Sequence, residues 1–291
     1  MQPAAPLGGR SSRLRRRVGP VSSSDAPIVA QAPGVRITAR ARGAHLMSWT
    51  TQGVDRLWMS PLSDVGQPEA LRGGVPVLFP QFAAFGALPK HGFARTATWQ
   101  PVRVDAEPGR AALSFQLEDS AATRAHWPHP FHLRLDVSAS AEDLLMVLTV
   151  TNRGGDAARF TGGLHTYLAV VDPNARISGL QGSHAWDGVS TADPTFSEPI
   201  DAPIRALETQ DRVIAGVSGP LVLQDEVLGT MRVSAAGFTD RVVWNPGPGH
   251  SLPDVAPGDE RYFVCIEPTC VVPVALAGGA TWSGEQQLSL G

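Results

Sequence analysis

Residues 131–138 read Phe131-His132-Leu133-Arg134-Leu135-Asp136-Val137-Ser138. Apolar and polar side chains alternate strictly along this stretch. Because successive side chains of a β-strand point to opposite faces of the sheet, this alternation predicts a strand with one buried face. Residues 144–151 read as a second strand, which ends at the turn signal Asn152-Arg153-Gly154-Gly155.

Similar short segments recur on both sides of this pair. They lie at residues 35–40, 45–49, 56–59, 98–104, 111–117, 158–160, 164–171, 221–223, 231–234, 241–244, 262–267 and 286–290. Turns are favoured between them because the chain contains 30 glycines and 25 prolines. Helical periodicity is not sustained anywhere, and only residues 119–124 suggest a short helix. The pattern predicts an all-β fold, a large antiparallel sandwich or barrel with few short helices.

Length and composition limit the domain organisation of the chain and the kinds of partner that it can bind. The chain has 291 residues, and we expect a basic, disordered tail at 1–27 followed by a single domain at 28–291. A net charge of −3 argues against nucleic acid and anionic membranes as partners, and no apolar run is long enough to span a bilayer. The two cysteines form no disulfide framework or metal quartet, so we expect a cytosolic protein. We also expect a monomer.

Residues 72–95 contain polar side chains that could belong to one binding site. Arg72, His91 and Arg95 lie here among glycines, prolines and buried-type apolar residues. Packed loops that aim such groups at one point are typical of a binding pocket. The alternative is an ordinary crossover whose arginines reach the solvent.

Two further groups have chemistry that an apolar strand does not need. His165 follows Gly162-Gly163-Leu164, and its imidazole is suited to general acid catalysis. Glu267 shares a strand face with Phe263 and Cys265, so burial would raise its pKa and make it a stronger base. The alternatives are a hydrogen-bonded structural histidine and a glutamate that reaches the solvent at a strand end. Trp244 precedes a tight turn and would serve equally as the wall of a sugar site or as core.

Other site classes lack their signatures. The chain has no phosphate-binding loop, no Gly-x-Ser-x-Gly elbow and no glycine-rich strand-to-helix junction. His126, His129 and His132 surround a proline-rich turn, where exposed imidazoles are favoured over metal ligands. We therefore expect neither a metal nor a cofactor.

Several segments, in this order, resemble the hexose-6-phosphate mutarotases (glucose-6-phosphate 1-epimerases) of the aldose-1-epimerase superfamily. The segments are Arg56-Leu57-Trp58-Met59-Ser60, Arg72-Gly73-Gly74-Val75-Pro76, Phe79-Pro80-Gln81-Phe82, Leu88-Pro89-Lys90-His91-Gly92-Phe93-Ala94-Arg95, Trp127-Pro128-His129-Pro130-Phe131, Leu164-His165-Thr166-Tyr167, Asp211-Arg212-Val213, Val243-Trp244-Asn245-Pro246 and Val264-Cys265-Ile266-Glu267-Pro268. The resemblance covers the chain from about residue 35 to the C-terminus. It implies a galactose-mutarotase-like β-sandwich with the site on a concave face.

The resemblance also implies a mechanism. His165 would protonate the ring oxygen of a hexose 6-phosphate, and Glu267 would remove the proton of the anomeric hydroxyl, the two acting from opposite sides of the ring. The ring would open and reclose to the other anomer without a metal or cofactor.

The remaining site residues are implied to bind the substrate. His91 would contact the sugar, Asp211 would accept hydrogen bonds from its hydroxyls, and Arg72 and Arg95 would hold the phosphate. The chain departs from the family at Lys90, where glutamine is usual; this lysine either adds charge near the phosphate or points outward. It departs again at Ala83-Ala84-Phe85, where glycine often follows Phe82.

Three other functions stay open at this point. They are an aldose 1-epimerase for unphosphorylated sugars, a non-catalytic sugar-binding module on the same fold, and a retaining glycosidase. A glycosidase requires two carboxylates across one bond, for which Glu267 and Asp211 are the candidates.

Overall fold

A computed structural model gives the fold of residues 26–64, 66, 69–188 and 195–291. The described residues form three antiparallel sheets, so the predicted all-β class is confirmed. Nearly all of the basic tail expected at 1–27 lies outside the described residues, and that expectation stays a prediction.

The strands are grouped as follows. A four-stranded sheet contains β1 (Ile28–Ala32), β2 (Val35–Arg40), β3 (His45–Thr51) and β4 (Val54–Asp55). An eight-stranded sheet contains β5 (Val77–Leu78), β10 (Ala158–Leu164), β11 (Tyr167–Ala169), β13 (Ala185–Asp187), β14 (Thr195–Phe196), β16 (Gln210–Ala215), β19 (Asp240–Asn245) and β20 (Phe263–Leu276). A nine-stranded sheet contains β6 (Gln100–Glu107), β7 (Arg110–Glu118), β8 (Phe131–Ala139), β9 (Asp143–Asn152), β12 (Arg176–Ser178), β15 (Ile204–Arg205), β17 (Leu221–Asp225), β18 (Gly229–Ala236) and β21 (Thr281–Leu290).

The strictly alternating stretch forms β8, near one edge of the nine-stranded sheet. It pairs with β9, with Leu135 opposite Leu148, and each second residue of both strands is buried. These inward side chains join one apolar cluster with residues of the other two sheets, such as Ile37 and Ile266. The core therefore lies between the sheets, as alternation with period two requires.

The eight-stranded sheet has two different faces, and this difference positions the site. Ile214, Val243 and Ile266 belong to the shared core. Their sequence neighbours point the opposite way, because side chains alternate along a strand. Trp244 and Glu267 are therefore on the face that is turned away from that core.

The expected boundaries were wrong at two places in this sheet. Residues 164–171 do not form one strand, because β10 ends at Leu164 and β11 begins at Tyr167. The strand expected at 262–267 instead runs through Pro268 to Leu276, so Glu267 lies in its interior. Proline removes one donor from the ladder, but it leaves the alternation of side chains intact.

The remaining elements are a short helix and a turn. Helix α1 (Ala121–His126) occupies the predicted region, and Ser120 caps it by accepting from the backbone N–H of Thr123. A 3-10 turn covers Asp259–Tyr262. Among the described residues, no helix is both long and apolar enough to cross a bilayer.

Candidate active site

The strand register places His165 beside Glu267. Tyr167 pairs with Cys265 and Gly163 pairs with Thr269, so the register on the two sides of the break in β10–β11 is the same. His165 consequently falls opposite Glu267, and residues opposite each other on antiparallel strands share a face. The imidazole Nδ1 lies 3.2 Å from Oε1 of Glu267.

Both side chains are almost completely buried, which shifts their pKa values in opposite directions. Exposure is 8% for His165 and 2% for Glu267. Burial, with Asp211 nearby, raises the pKa of Glu267 well above its ordinary value, although Lys90 and Arg72 oppose this shift. Burial lowers the pKa of His165 well below its ordinary value, and the positive charge of Arg72 adds to this shift. A neutral pair is therefore favoured.

His91 reaches the pair from the loop that follows β5. Its ring centroid is 5.6 Å from that of His165. Its Nδ1 accepts a 3.1 Å hydrogen bond from the backbone N–H of Ala83, which assigns the ring proton to Nε2. Burial, with Arg95 nearby, lowers the pKa of His91 to about 2, so the ring is neutral. His91 is thus held as a hydrogen-bond donor with a fixed direction.

The backbone beside His91 makes a close approach that only glycine allows. Gly92 has a φ of +68°, and a Cβ there would overlap the carbonyl of Phe79. An alanine at this position would have both an unfavourable positive φ and a steric overlap with the Phe79 carbonyl. We therefore expect Gly92→Ala to lower the free energy of unfolding by more than about 2 kcal/mol. Urea unfolding of the variant and the parent chain measures this difference.

Gly109 supplies the matched control for Gly92. It has a φ of +76°, but a Cβ at this turn would meet no atom within 4 Å. Gly109→Ala should therefore lower the free energy of unfolding only through its unfavourable backbone conformation, by about 1 kcal/mol. Equal losses of stability in the two variants would contradict the close approach at Gly92.

Arg72 is held near the pair by two hydrogen bonds. Its Nε donates to Asp254 Oδ2 at 3.0 Å, and its Nη1 donates to the hydroxyl of Tyr167 at 2.8 Å. The ring of Tyr167 in turn stacks on His165, at 4.7 Å between centroids and 6° between planes. Arg72, Tyr167 and His165 therefore form one rigid row.

Arg95 is held differently. Its Nη2 donates to the backbone carbonyl of Lys90 at 2.7 Å, and its Nε is buried without a hydrogen-bond partner among the described residues. Burial, with Arg72 nearby, lowers the pKa of Arg95. Lys90 has an exposed side chain, and its charge acts on both His165 and Glu267. This corner of the site carries positive charge with unused donors, which suits an anion.

Trp244 and Asp211 extend the same face across the next strands. Trp244 pairs with Cys265 and is in turn opposite Asp211 in the register. The Trp244 ring lies edge-on to His165, with the centroids 5.9 Å apart, and the Arg72 guanidinium lies 5.9 Å from its centroid. Trp244 thus forms a wall of the site, and Asp211 is near enough to act on the charge of Glu267.

Residues 28–289 match the sequence profile of the family described as aldose 1-epimerase. The chain belongs to the aldose 1-epimerase family. A Salmonella typhimurium relative named "Putative glucose-6-phosphate 1-epimerase" is 36% identical over 251 residues, which cover 82% of this chain and 81% of the relative. The family resemblance of the sequence is thereby confirmed.

Solved structures of the family show the same architecture. A crystal structure described as a "putative mutarotase" from Salmonella typhimurium aligns with a TM-score of 0.80 and 30% identity, covering 90% of this chain and 88% of the other. Galactose 1-epimerase from Lactobacillus acidophilus aligns with a TM-score of 0.71 at 14% identity, covering 89% and 91% of the two chains. The second likeness concerns the fold alone, and it supports the predicted galactose-mutarotase-like sandwich.

The structure brings the predicted site residues of this family member to one place, with one change in their arrangement. His165 and Glu267 contact each other, so no ring fits between them, and the expected approach from opposite sides was wrong. Register is the physical reason, because opposite positions on adjacent strands are neighbours. Lys90 stays at the exposed rim.

Sequence reasoning missed two residues that organise the site. Tyr167 is part of a segment that resembles the family, and its position two residues after His165 places both side chains on the same side of extended backbone. Asp254 lies in the loop after β19, and no local pattern around Pro253-Asp254-Val255 indicates that it contacts Arg72.

Proposed function

We propose that this protein interconverts the α and β anomers of a hexose 6-phosphate, with His165 and Glu267 as the acid–base pair. The contact of the two side chains in a buried site, beside two arginines, carries this proposal. The anomeric hydroxyl and the ring oxygen of a hexose are bonded to the same carbon. Two groups that lie side by side therefore suit both of its reacting oxygens.

In the ring-opening step, the substrate gives one proton to Glu267 and takes one proton from His165. Glu267 takes the proton from the anomeric hydroxyl while His165 donates a proton to the ring oxygen, and the bond between the anomeric carbon and the ring oxygen breaks. The open-chain aldehyde rotates about its first carbon–carbon bond. Closure on the other face returns the protons to His165 and the hydroxyl oxygen, and the opposite anomer leaves.

Burial favours the form of the acid–base pair that follows ring opening. Ring opening converts an imidazolium and a carboxylate into an imidazole and a carboxylic acid, so the pair loses its charges. The site already favours this neutral form, because burial raises the pKa of Glu267 and lowers the pKa of His165. The pair titrates as one unit, and its working form holds one proton in total.

The two arginines bind different parts of the substrate. Arg72 is committed to Asp254 and Tyr167, so it positions the sugar beside the pair. The Nε of Arg95, next to Lys90, has no hydrogen-bond partner among the described residues, so Arg95 binds the 6-phosphate as a donor. A guanidinium fork suits a phosphate dianion, and the positive charge of this corner is balanced when the phosphate binds.

Arg95→Ala tests this division. Loss of its charge-assisted hydrogen bonds should raise the KM for glucose 6-phosphate by about tenfold to a hundredfold, with a smaller effect on kcat. Initial rates of anomerisation at varied substrate concentration measure the two constants separately. Isothermal titration with inorganic phosphate should show the same loss of affinity without turnover.

Arg72→Ala is the comparison for Arg95→Ala. Because Arg72 contacts the row that holds His165, this variant should lose kcat as well as affinity. The division is wrong if Arg95→Ala lowers kcat as strongly as Arg72→Ala, or leaves phosphate binding unchanged.

Polarimetry tests the proposed activity itself. Freshly dissolved α-glucose 6-phosphate should reach its equilibrium optical rotation faster with the protein than in buffer, and α-glucose should respond less. Acceleration with glucose alone would point to an aldose 1-epimerase of free sugars. Absence of acceleration with both would remove the enzymatic proposal and leave a sugar-binding module.

Two broader expectations accompany this function. Cys265 and Cys270 are both free and buried, which supports our proposal of a reducing, cytosolic location. We also propose a monomer, because the acid–base pair and both arginines come from a single chain.

A further inference from the structure

The acid–base pair has a third neighbour that the proposed reaction does not use. Cys265 lies two residues before Glu267 on β20, so both side chains project from the same strand face. One ligand atom each from His165, Cys265 and Glu267 lies within 4.8 Å of the others. In the part of the chain that the structure describes, this is the one group of three such side chains with metal-ligand spacing.

We infer that this triad binds a thiophilic divalent cation, with Zn²⁺ as the best match, and that the bound cation blocks the acid–base pair. The inference rests on the proposed function, because the blocked groups are the ones that we assign to catalysis. The triad combines nitrogen, sulfur and oxygen ligands. Zn²⁺ accepts all three kinds of ligand, whereas Mg²⁺ and Ca²⁺ prefer oxygen.

The nitrogen–oxygen distance fits this cation. In tetrahedral coordination, Zn–N and Zn–O bonds of about 2.0–2.2 Å place the two ligand atoms about 3.3–3.5 Å apart. The Nδ1 of His165 and the Oε1 of Glu267 are 3.2 Å apart. Three protein ligands leave the fourth position open to water or to a sugar hydroxyl.

The imidazole nitrogen is also available. Its Nδ1 is buried and has no hydrogen-bond partner among the described residues, although it is close to Glu267. An orphaned buried nitrogen is costly, and a metal bond satisfies it.

Charge balance decides whether a dication is tolerated beside Arg72 and Lys90. Binding replaces the proton of the Cys265 thiol and any proton on Glu267, and these protons pass to the buffer. The resulting thiolate and carboxylate offset the two charges of the cation. The complex therefore adds no net charge to the site, although burial makes the free thiolate unfavourable by raising the pKa of Cys265.

Cys270 provides a matched control on the same strand. It is also buried, but it lies an odd number of residues from Cys265 and points into the shared core. Cys265→Ser removes the sulfur ligand, whereas Cys270→Ser removes a sulfur outside the triad.

The test uses the full chain, the two serine variants, Zn²⁺ and Co²⁺. Inhibition of glucose 6-phosphate anomerisation by Zn²⁺ is measured relative to the metal-free rate of each protein, with reversal by a chelator. We expect Cys265→Ser to weaken inhibition at least about tenfold and Cys270→Ser to leave it unchanged. Co²⁺ should give a thiolate-to-cobalt absorption band in the near ultraviolet, which Cys265→Ser abolishes. Glu267→Gln, which should weaken Co²⁺ binding at least about tenfold, replaces Cys265→Ser if that variant does not fold.

The two readouts separate this inference from the proposed function. Absence of a cobalt band in the parent chain, or a band that persists in Cys265→Ser, overturns the metal site even if the protein anomerises the sugar. Equal Zn²⁺ inhibition of the parent chain and Cys265→Ser also overturns it. A band that depends on Cys265 in a protein without anomerase activity supports the site and contradicts the function alone.

Discussion

Glu267→Gln should lower kcat for glucose 6-phosphate anomerisation by at least about 10²–10⁴-fold, the usual contribution of a general acid or base. The substitution keeps the shape of the side chain and removes its ability to accept the proton of the anomeric hydroxyl. Because burial already disfavours the charged carboxylate, the neutral amide should not destabilise the fold. Polarimetric rates together with thermal unfolding of the variant measure the two effects.

Glu260→Gln is the matched control for this substitution. Glu260 is a second buried glutamate, with 8% exposure, and its Oε2 accepts from the backbone N–H of Gly258. It lies outside the acid–base pair, so its substitution should change kcat by less than about threefold. Similar kcat values for Glu267→Gln and the parent chain would show that Glu267 is not the base.

His165→Asn should cause a loss of kcat of the same order as Glu267→Gln. Asparagine retains a polar group near the position of Nδ1, but it cannot donate a proton to the ring oxygen and then take it back. The stacking of the imidazole on Tyr167 is also lost, so a loss of stability of about 1 kcal/mol is expected. Stopped-flow polarimetry measures kcat, and urea unfolding measures the stability.

A double variant shows whether the two groups act as a unit. If they do, His165→Asn combined with Glu267→Gln should be little slower than either single variant, since each alone stops the same proton exchange. His132→Asn, on β8 of the nine-stranded sheet, should keep full activity. Losses that multiply in the double variant would contradict a coupled pair.

The architecture was largely predictable because it depends on local patterns. The alternation from Phe131 to Ser138 requires no knowledge of distant residues, and it predicted β8 directly. The predicted strand boundaries were wrong where two local sequence rules conflicted. Pro268 ended the expected strand, yet β20 continues because β19 pairs with it on both sides of the proline and β10 pairs with it beyond the proline. Gly162 and Gly163 look like a break, but they lie within β10, where the carbonyls of Leu78 and Pro268 approach closely.

The arrangement of the site depended on register, which the sequence does not contain. Residues 165 and 267 are far apart in the chain, and a shift of one residue between β11 and β20 would place them on opposite faces. The salt bridge from Arg72 to Asp254 spans an even larger separation of 182 residues, so no local pattern could indicate it. Residue types at the site could be proposed from sequence, whereas their contacts required the fold.

The central claim is that the contact between His165 and Glu267 exchanges the anomers of a hexose 6-phosphate. NMR exchange spectroscopy on glucose 6-phosphate at equilibrium tests it most directly, because it follows the anomeric protons without a coupled enzyme. Catalytic amounts of the protein should produce exchange cross-peaks between the α and β anomeric protons that are absent both in buffer and with Glu267→Gln. The claim is contradicted if the parent chain gives no cross-peaks, or if Glu267→Gln gives them at the same intensity.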